Sequence, residues 1–197
     1  VLSDLLLHRR FIAKTYRVLQ NLRRTYHVNS EQDYFAFTSR ALKPIWKEQY
    51  DTSMTQPNGA PTYDEQDLIF ELIWTSPQLN TNEERQLRLF LIASEPKVRY
   101  YMLSALSLAL IHYFDAAKVR LLVEYAAAEN DAERARATVG IVACCLLHST
   151  AINAHPPLAQ SISALFDAPH FIKELALVQH HFYLYRETER LRKKMEQ

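Results

Sequence analysis

Glycine is almost missing from this chain. Its 197 residues hold two, Gly59 and Gly140. Loops that cradle phosphate and turns that hold a dinucleotide need several glycines at fixed spacing, because only a residue without a Cβ lets the backbone come so close. Both kinds of nucleotide site are excluded. Tight β-turns also draw on glycine for positive φ, so a hairpin-rich β fold is disfavoured. Cysteine is equally scarce. Cys144 and Cys145 are adjacent, badly placed to bridge each other and too few for a disulfide framework. A reducing, cytoplasmic setting is the expectation. An excess of one charge is lacking too: 23 Lys and Arg stand against 22 Asp and Glu, a net charge of +1. A dedicated nucleic-acid binder usually carries a basic domain, so that class is disfavoured, although a local basic patch is not. No apolar run reaches the roughly 18 to 20 residues of a membrane helix. The longest, Tyr100 to Ile111, is broken by Ser104 and Ser107. Leu5-Leu6-Leu7 is too short for a signal core, and Val1-Leu2 opens mid-pattern without Met. The chain is therefore expected to be a piece of a longer protein.

What is present is helix. Hydrophobic residues make up 48% and charged residues 23%, ordinary for a globular chain. Apolar residues recur every three or four positions, and no segment alternates with period two for long. Residues 2–27 read as one helix, and Ser30 suits the N-cap of a second running to about Tyr50, kinked near Pro44. Residues 1–50 thus form an N-terminal helical hairpin. Residues 51–61 (DTSMTQPNGAP) hold two prolines and a glycine and read as a linker. Residues 62–197 follow as a helical array. Thr62 with Glu65, and Thr81 with Glu84, match capping boxes. Pro96 suits a first helical turn, and Asp115, Asp131 and Asp167 are further N-cap candidates. The implied helices are 64–75, 81–94, 97–113, 115–128, 131–148, 157–167 and 169–196. Short connections make consecutive helices antiparallel neighbours.

Two of these helices are apolar around their whole circumference: Tyr100 to Phe114, and Ala137 to Leu147. Such a helix must be covered on more than one side. A shift of 36 residues lays Leu103 on Val139, Ser104 on Gly140, Leu106 on Val142, Leu110 on Leu146, Ile111 on Leu147 and His112 on His148. Small residues coincide at one point, with large apolar ones around it. That period lies in the range of two-helix repeat units.

The segment from Val98 to His148 resembles HEAT-like repeats. Its first unit opens on Val98-Arg99 and continues into Ala105-Leu106; the second keeps the pattern with Ala137, Gly140 and Val142. The stretches SALSLALIHYFDAAKVRLLVEY and RARATVGIVACCLL are also similar to the helical-repeat part of large bacterial proteins that carry tetratricopeptide repeats further along. The likeness spans about residues 65 to 190. It implies an all-α fold, a right-handed α-α superhelix of antiparallel pairs, and an interaction scaffold without a catalytic motif.

Few residues invite chemistry. Cys144 and His148 lie one helical turn apart, with Cys145 between and His155 beyond, but no second pair completes a four-ligand zinc site. Two buried thiols and a histidine at a helix end account for them. His112 repeats the position of His148 and reads the same way. His180 and His181 point about 100° apart on one helix, so at most one faces any site. No metal, cofactor or catalytic constellation is expected. Partner contact is expected on the helix 115–128, where Val119, Leu122, Val123 and Ala126 form the core side and Lys118, Arg120, Leu121 and Glu124 turn outward. The protein or peptide bound there has no signature in the sequence. The alternative is nucleic-acid binding through Arg9, Arg10, Lys14, Arg17, Arg23 and Arg24 on the first helix. The helix at 169–196 carries a stripe of Phe171, Leu175, Val178, Phe182 and Tyr185, then gathers Arg190, Arg192, Lys193 and Lys194 at its end.

Overall fold

The computed structural model describes residues 63–196 and scattered positions between Leu7 and Tyr26, all of them helical. Ser30, Pro44, the 51–61 linker and Thr62 lie outside the described residues. Among the described residues the only regular structure is helix: α1 (Tyr63–Thr75), α2 (Thr81–Ala93), α3 (Pro96–His112), α4 (Ala116–Ala126), α5 (Asp131–Asn153), α6 (Pro156–Leu165) and α7 (Pro169–Met195). The helices expected after residue 62 are all present, most within one or two residues of their expected ends.

Local chemistry sets their starts. The α2 box is one residue earlier than expected. Asn80 Oδ1 accepts from the amides of Asn82 and Glu83, and Glu83 returns a carboxylate to the amide of Asn80. Thr81 is already the first helical residue, and Glu84 is left free for another task. Asn130, not Asp131, caps α5, accepting from Ala132 and Glu133. Asp115 caps α4 through Ala117. Ala168 precedes α7 without a side-chain cap, so Asp167 does not serve there. Proline begins α3, α6 and α7, where its missing N–H is not needed.

Packing follows a rule of alternate helices. α3 packs on α1, α5 on α3, and α7 on α5; α4 packs on α2, and α6 on α4. Adjacent helices also touch, α4 with α5 most extensively, then α3 with α4, α5 with α6 and α2 with α3. The α3–α5 contact is the most extensive. Met102, Leu103, Ala105, Leu106 and Leu110 of α3 and Ala137, Ile141 and Cys144 of α5 are fully buried. Burying each large aliphatic side chain contributes about 1.5–3 kcal/mol. Gly140 sits where α5 crosses its neighbours: a Cβ there would lie 2.3 Å from Ser107 Oγ and 2.7 Å from Leu122 Cδ1. Tyr16 packs on this core, half-buried.

α5 differs from the expected helix in running past His148 to Asn153. His148 leaves helical geometry (φ −131°, ψ 28°), and the helix kinks there. Among the described residues α5 alone is long and apolar enough, by length and composition, to cross a membrane. Its first half is the covered middle of the core, in contact with α3, α4 and α7.

Candidate interaction surface

The row α2–α4 carries the expected contact residues, and the structure divides them. Arg120 and Glu124 are exposed. Lys118 and Leu121 are not: they are 1% and 0% exposed. The reason is that α4 touches α2, α3, α5 and α6, so only a narrow strip of it reaches solvent. A helical wheel assigns one core side, and α4 has nearly three. Val119, Leu122 and Ala126 are buried as expected, and Val123 is half-buried.

Lys118 has an internal role. Its ammonium donates to the carbonyl of Ile73 at 2.8 Å and to that of Ser76 at 2.5 Å. It therefore caps the C-terminal end of α1, where carbonyls lack helical partners and negative potential gathers. Asp115, one turn before it, accepts from the Leu79 amide at 2.8 Å and the Ala117 amide at 3.0 Å. Together these two residues fix the α1–α2 turn to the start of α4.

On the surface strip charges alternate. Arg120 donates to both carboxylate oxygens of Glu84, at 2.9 and 2.6 Å. Arg88 donates to Glu124 at 3.0 and 2.7 Å and to Glu84 at 3.3 Å. The Arg120 hydrogen bond, with the nearby charges of Arg120 and Arg88, holds the Glu84 carboxyl below its ordinary value, against the opposing effect of its burial. Glu124 in turn raises Arg88, and Glu84 raises Arg120. The Arg120–Glu84 and Arg88–Glu124 partners are 36 residues apart, as are Leu79 and Asp115. The 36-residue shift, applied to charges as well as to apolar residues, places Glu84 on Arg120 and Arg88 on Glu124. That signal was in the sequence and was missed. The inner row is tied likewise: Arg99 of α3 reaches Glu133 of α5 at 2.7 Å, and Arg134 of α5 reaches Glu174 of α7 at 3.8 Å.

The comparisons identify no relative. Set against protein-family models, curated proteins and solved structures, the chain matches none. The surface has to be read from its own residues.

The remaining candidates disperse. Among the described residues no group of three or more His, Cys, Asp and Glu is placed to hold a metal ion. Cys144 is buried, and burial pushes its thiol up to about 12. Cys145 is half-buried and also raised by burial. His148 lies 2.6 Å from the carbonyl of Leu110, and Phe114 stands between the rings of His148 and His155. His112 ends α3 and is exposed; His180 and His181 are both exposed on α7. Of the basic residues on the first helix, Lys14 is described and exposed; Arg9, Arg10, Arg17, Arg23 and Arg24 lie outside the described residues.

Proposed function

We propose that this chain is a protein-interaction scaffold, a HEAT-like α-solenoid whose units repeat every 36 residues. Side-chain bonds spanning one repeat carry the reading: Leu79 to Asp115, Glu84 to Arg120 and Arg88 to Glu124 all join equivalent points of successive units. The packing of every helix on the next but one supports it, since two stacked rows are what a solenoid of antiparallel pairs produces. Free thiols at Cys144 and Cys145 agree with a reducing, cytoplasmic setting. The resemblance to the repeat region of bacterial tetratricopeptide-repeat proteins points the same way, toward a module within a larger scaffold.

The contact face on this reading is the α2–α4 strip, with Arg120 and Glu124 at its centre and Arg85 and Arg88 beside them. An extended peptide with paired acidic and basic side chains could exchange with the Arg88–Glu124 pair at little cost, because exposed pairs are individually weak. The test is a photo-crosslinking amino acid placed at Glu124, with a second at Lys97 as a control, in the full chain within its native cell. The expected result is a discrete protein adduct from position 124 that survives nuclease and is absent from position 97. Adducts that vanish with nuclease would move the binding role to the basic first helix. Equal, featureless labelling from both positions would remove the α2–α4 strip from consideration.

A further inference from the structure

The first helix turns an apolar face to solvent. Leu7, Phe11, Val18, Leu19, Leu22 and Tyr26 are between 57% and 76% exposed. At about 100° per residue they share one half of the circumference, which runs from Leu7 at one margin to Tyr16 at the other. Thr15 and Thr25 fall in the same half. Each donates its hydroxyl back to its own helix, to the carbonyl of Phe11 at 3.0 Å and of Asn21 at 2.8 Å, so neither breaks the face with an unmet donor. Tyr16 is the point of rest on the body, half-buried against the core. It lies at the margin of the apolar half, so the body covers that margin and leaves the rest open.

The charges of this helix are nearly all of one sign. Residues 2–27 carry Arg9, Arg10, Lys14, Arg17, Arg23 and Arg24 against Asp4. On the same period, Arg9, Arg10, Lys14, Arg17 and Arg24 take the half away from the apolar one, and Arg23 falls beside Tyr16 at the margin. Lys14, the one of them within the described residues, is exposed.

These two halves select the occupant. A helix that is apolar on one side and cationic on the other lies in the plane of a membrane interface. The apolar half is then buried below the headgroups, and the cationic half meets their negative charge. A nucleic acid would engage the cationic half and leave the apolar half in water. A protein groove takes a narrower row of anchors, at i, i+3, i+4 and i+7, and closes around the helix. The contact of Tyr16 with the body obstructs such closure at one margin. A flat surface needs only the open arc.

We propose that the first helix is an interfacial anchor that binds an anionic lipid bilayer, with Leu19, Leu22 and Tyr26 at the centre of the inserted face. A single helix of this kind binds reversibly, with an affinity set by the content of anionic lipid and by salt. The proposal stands independently of the scaffold reading.

Co-sedimentation of the full chain with vesicles tests it. Vesicles of equal parts phosphatidylserine and phosphatidylcholine should pellet the wild type at low salt, and vesicles of phosphatidylcholine alone should not. Leu19→Glu with Leu22→Glu should bind about tenfold less or weaker still. Its thermal midpoint without lipid should be unchanged, because both residues are exposed. Arg10→Gln with Arg17→Gln should bind more weakly and lose part of the salt dependence. Leu146→Glu, at an exposed apolar site on α5, should bind as the wild type does. An environment-sensitive fluorophore should shift to the blue with the mixed vesicles when carried at Leu19→Cys, and not at Asn21→Cys on the other half. A wild type that never pellets with the mixed vesicles overturns the proposal, and binding to duplex DNA in its place would give the helix to nucleic acid. Pelleting retained by the double glutamate variant overturns it too, since charge alone would then account for binding. So does pelleting lost in Leu146→Glu, which would move the lipid contact to α5, or an equal shift at positions 19 and 21.

Discussion

Glu84 and Arg120, 36 residues apart, meet in a two-point ion pair that joins α2 to α4, with contacts of 2.9 and 2.6 Å. Glu84 is buried, while the Arg120 side chain is 48% exposed. The carboxylate is thus desolvated and depends on its partner. Its value is lowered on folding, from an ordinary 4.5. A group lowered in the folded state contributes stability that is fully present above its unfolded value and is lost as pH falls through the folded one. Thermal midpoints should therefore hold steady above pH 4.5 and decline below it. Glu84→Gln should be less stable at neutral pH and show a shallower acid decline. Parallel profiles for the two proteins would mean that this pair contributes nothing.

Gly140→Ala tests the α3–α5 crossing. The added methyl would meet Ser107 and Leu122 at distances that neither can accept without moving. Overpacking of this kind costs about 1–3 kcal/mol, set against a gain of up to about 1 kcal/mol from replacing glycine inside a helix. A net loss is expected in urea unfolding. Ser107→Gly should relieve the clash in part, so the double variant should lose less than the sum of the singles. Additive losses would place the strain elsewhere.

Lys118→Met removes the ammonium that caps α1 while keeping the length of the stem. Two inward-facing carbonyls lose a charged donor, and such bonds contribute about 1.5–3 kcal/mol each. A loss on the order of 2–4 kcal/mol is expected, because the methionine also avoids the desolvation of a buried charge. Arg85→Met, exposed on α2, should lose much less. A reversal of that order would contradict the assignment of Lys118 to the interior.

Cys144 should be silent to thiol reagents in the native protein. Its thiol is buried and pushed up to about 12, so the reactive thiolate is scarce at neutral pH. Mass spectrometry after alkylation should find Cys144 unmodified until denaturant is added, with Cys145 modified slowly. Prompt alkylation of Cys144 at neutral pH would show that α5 opens locally.

Helix positions were legible because they depend on neighbours in sequence. Pro96 begins α3 and Asp115 caps α4 through bonds within a few residues. The placement of the α2 cap slipped by one residue because Asn80 and Thr81 are both competent, and backbone geometry chooses between them. The all-round apolar helices were readable as doubly covered, and they are α3 and α5. The end of α5 was not readable, since the helix continues beyond the bend at His148.

The sequence alone therefore determined that the chain is helical, where its helices begin and that two of them lie inside. The tertiary structure decided which way α4 faces. Lys118 reads as a surface residue because its charge favours water. It is buried because α4 is enclosed by four helices and the end of α1 supplies two carbonyls to receive it. Burial of a long polar side chain depends on what meets its tip, and that is settled by residues some 40 positions away.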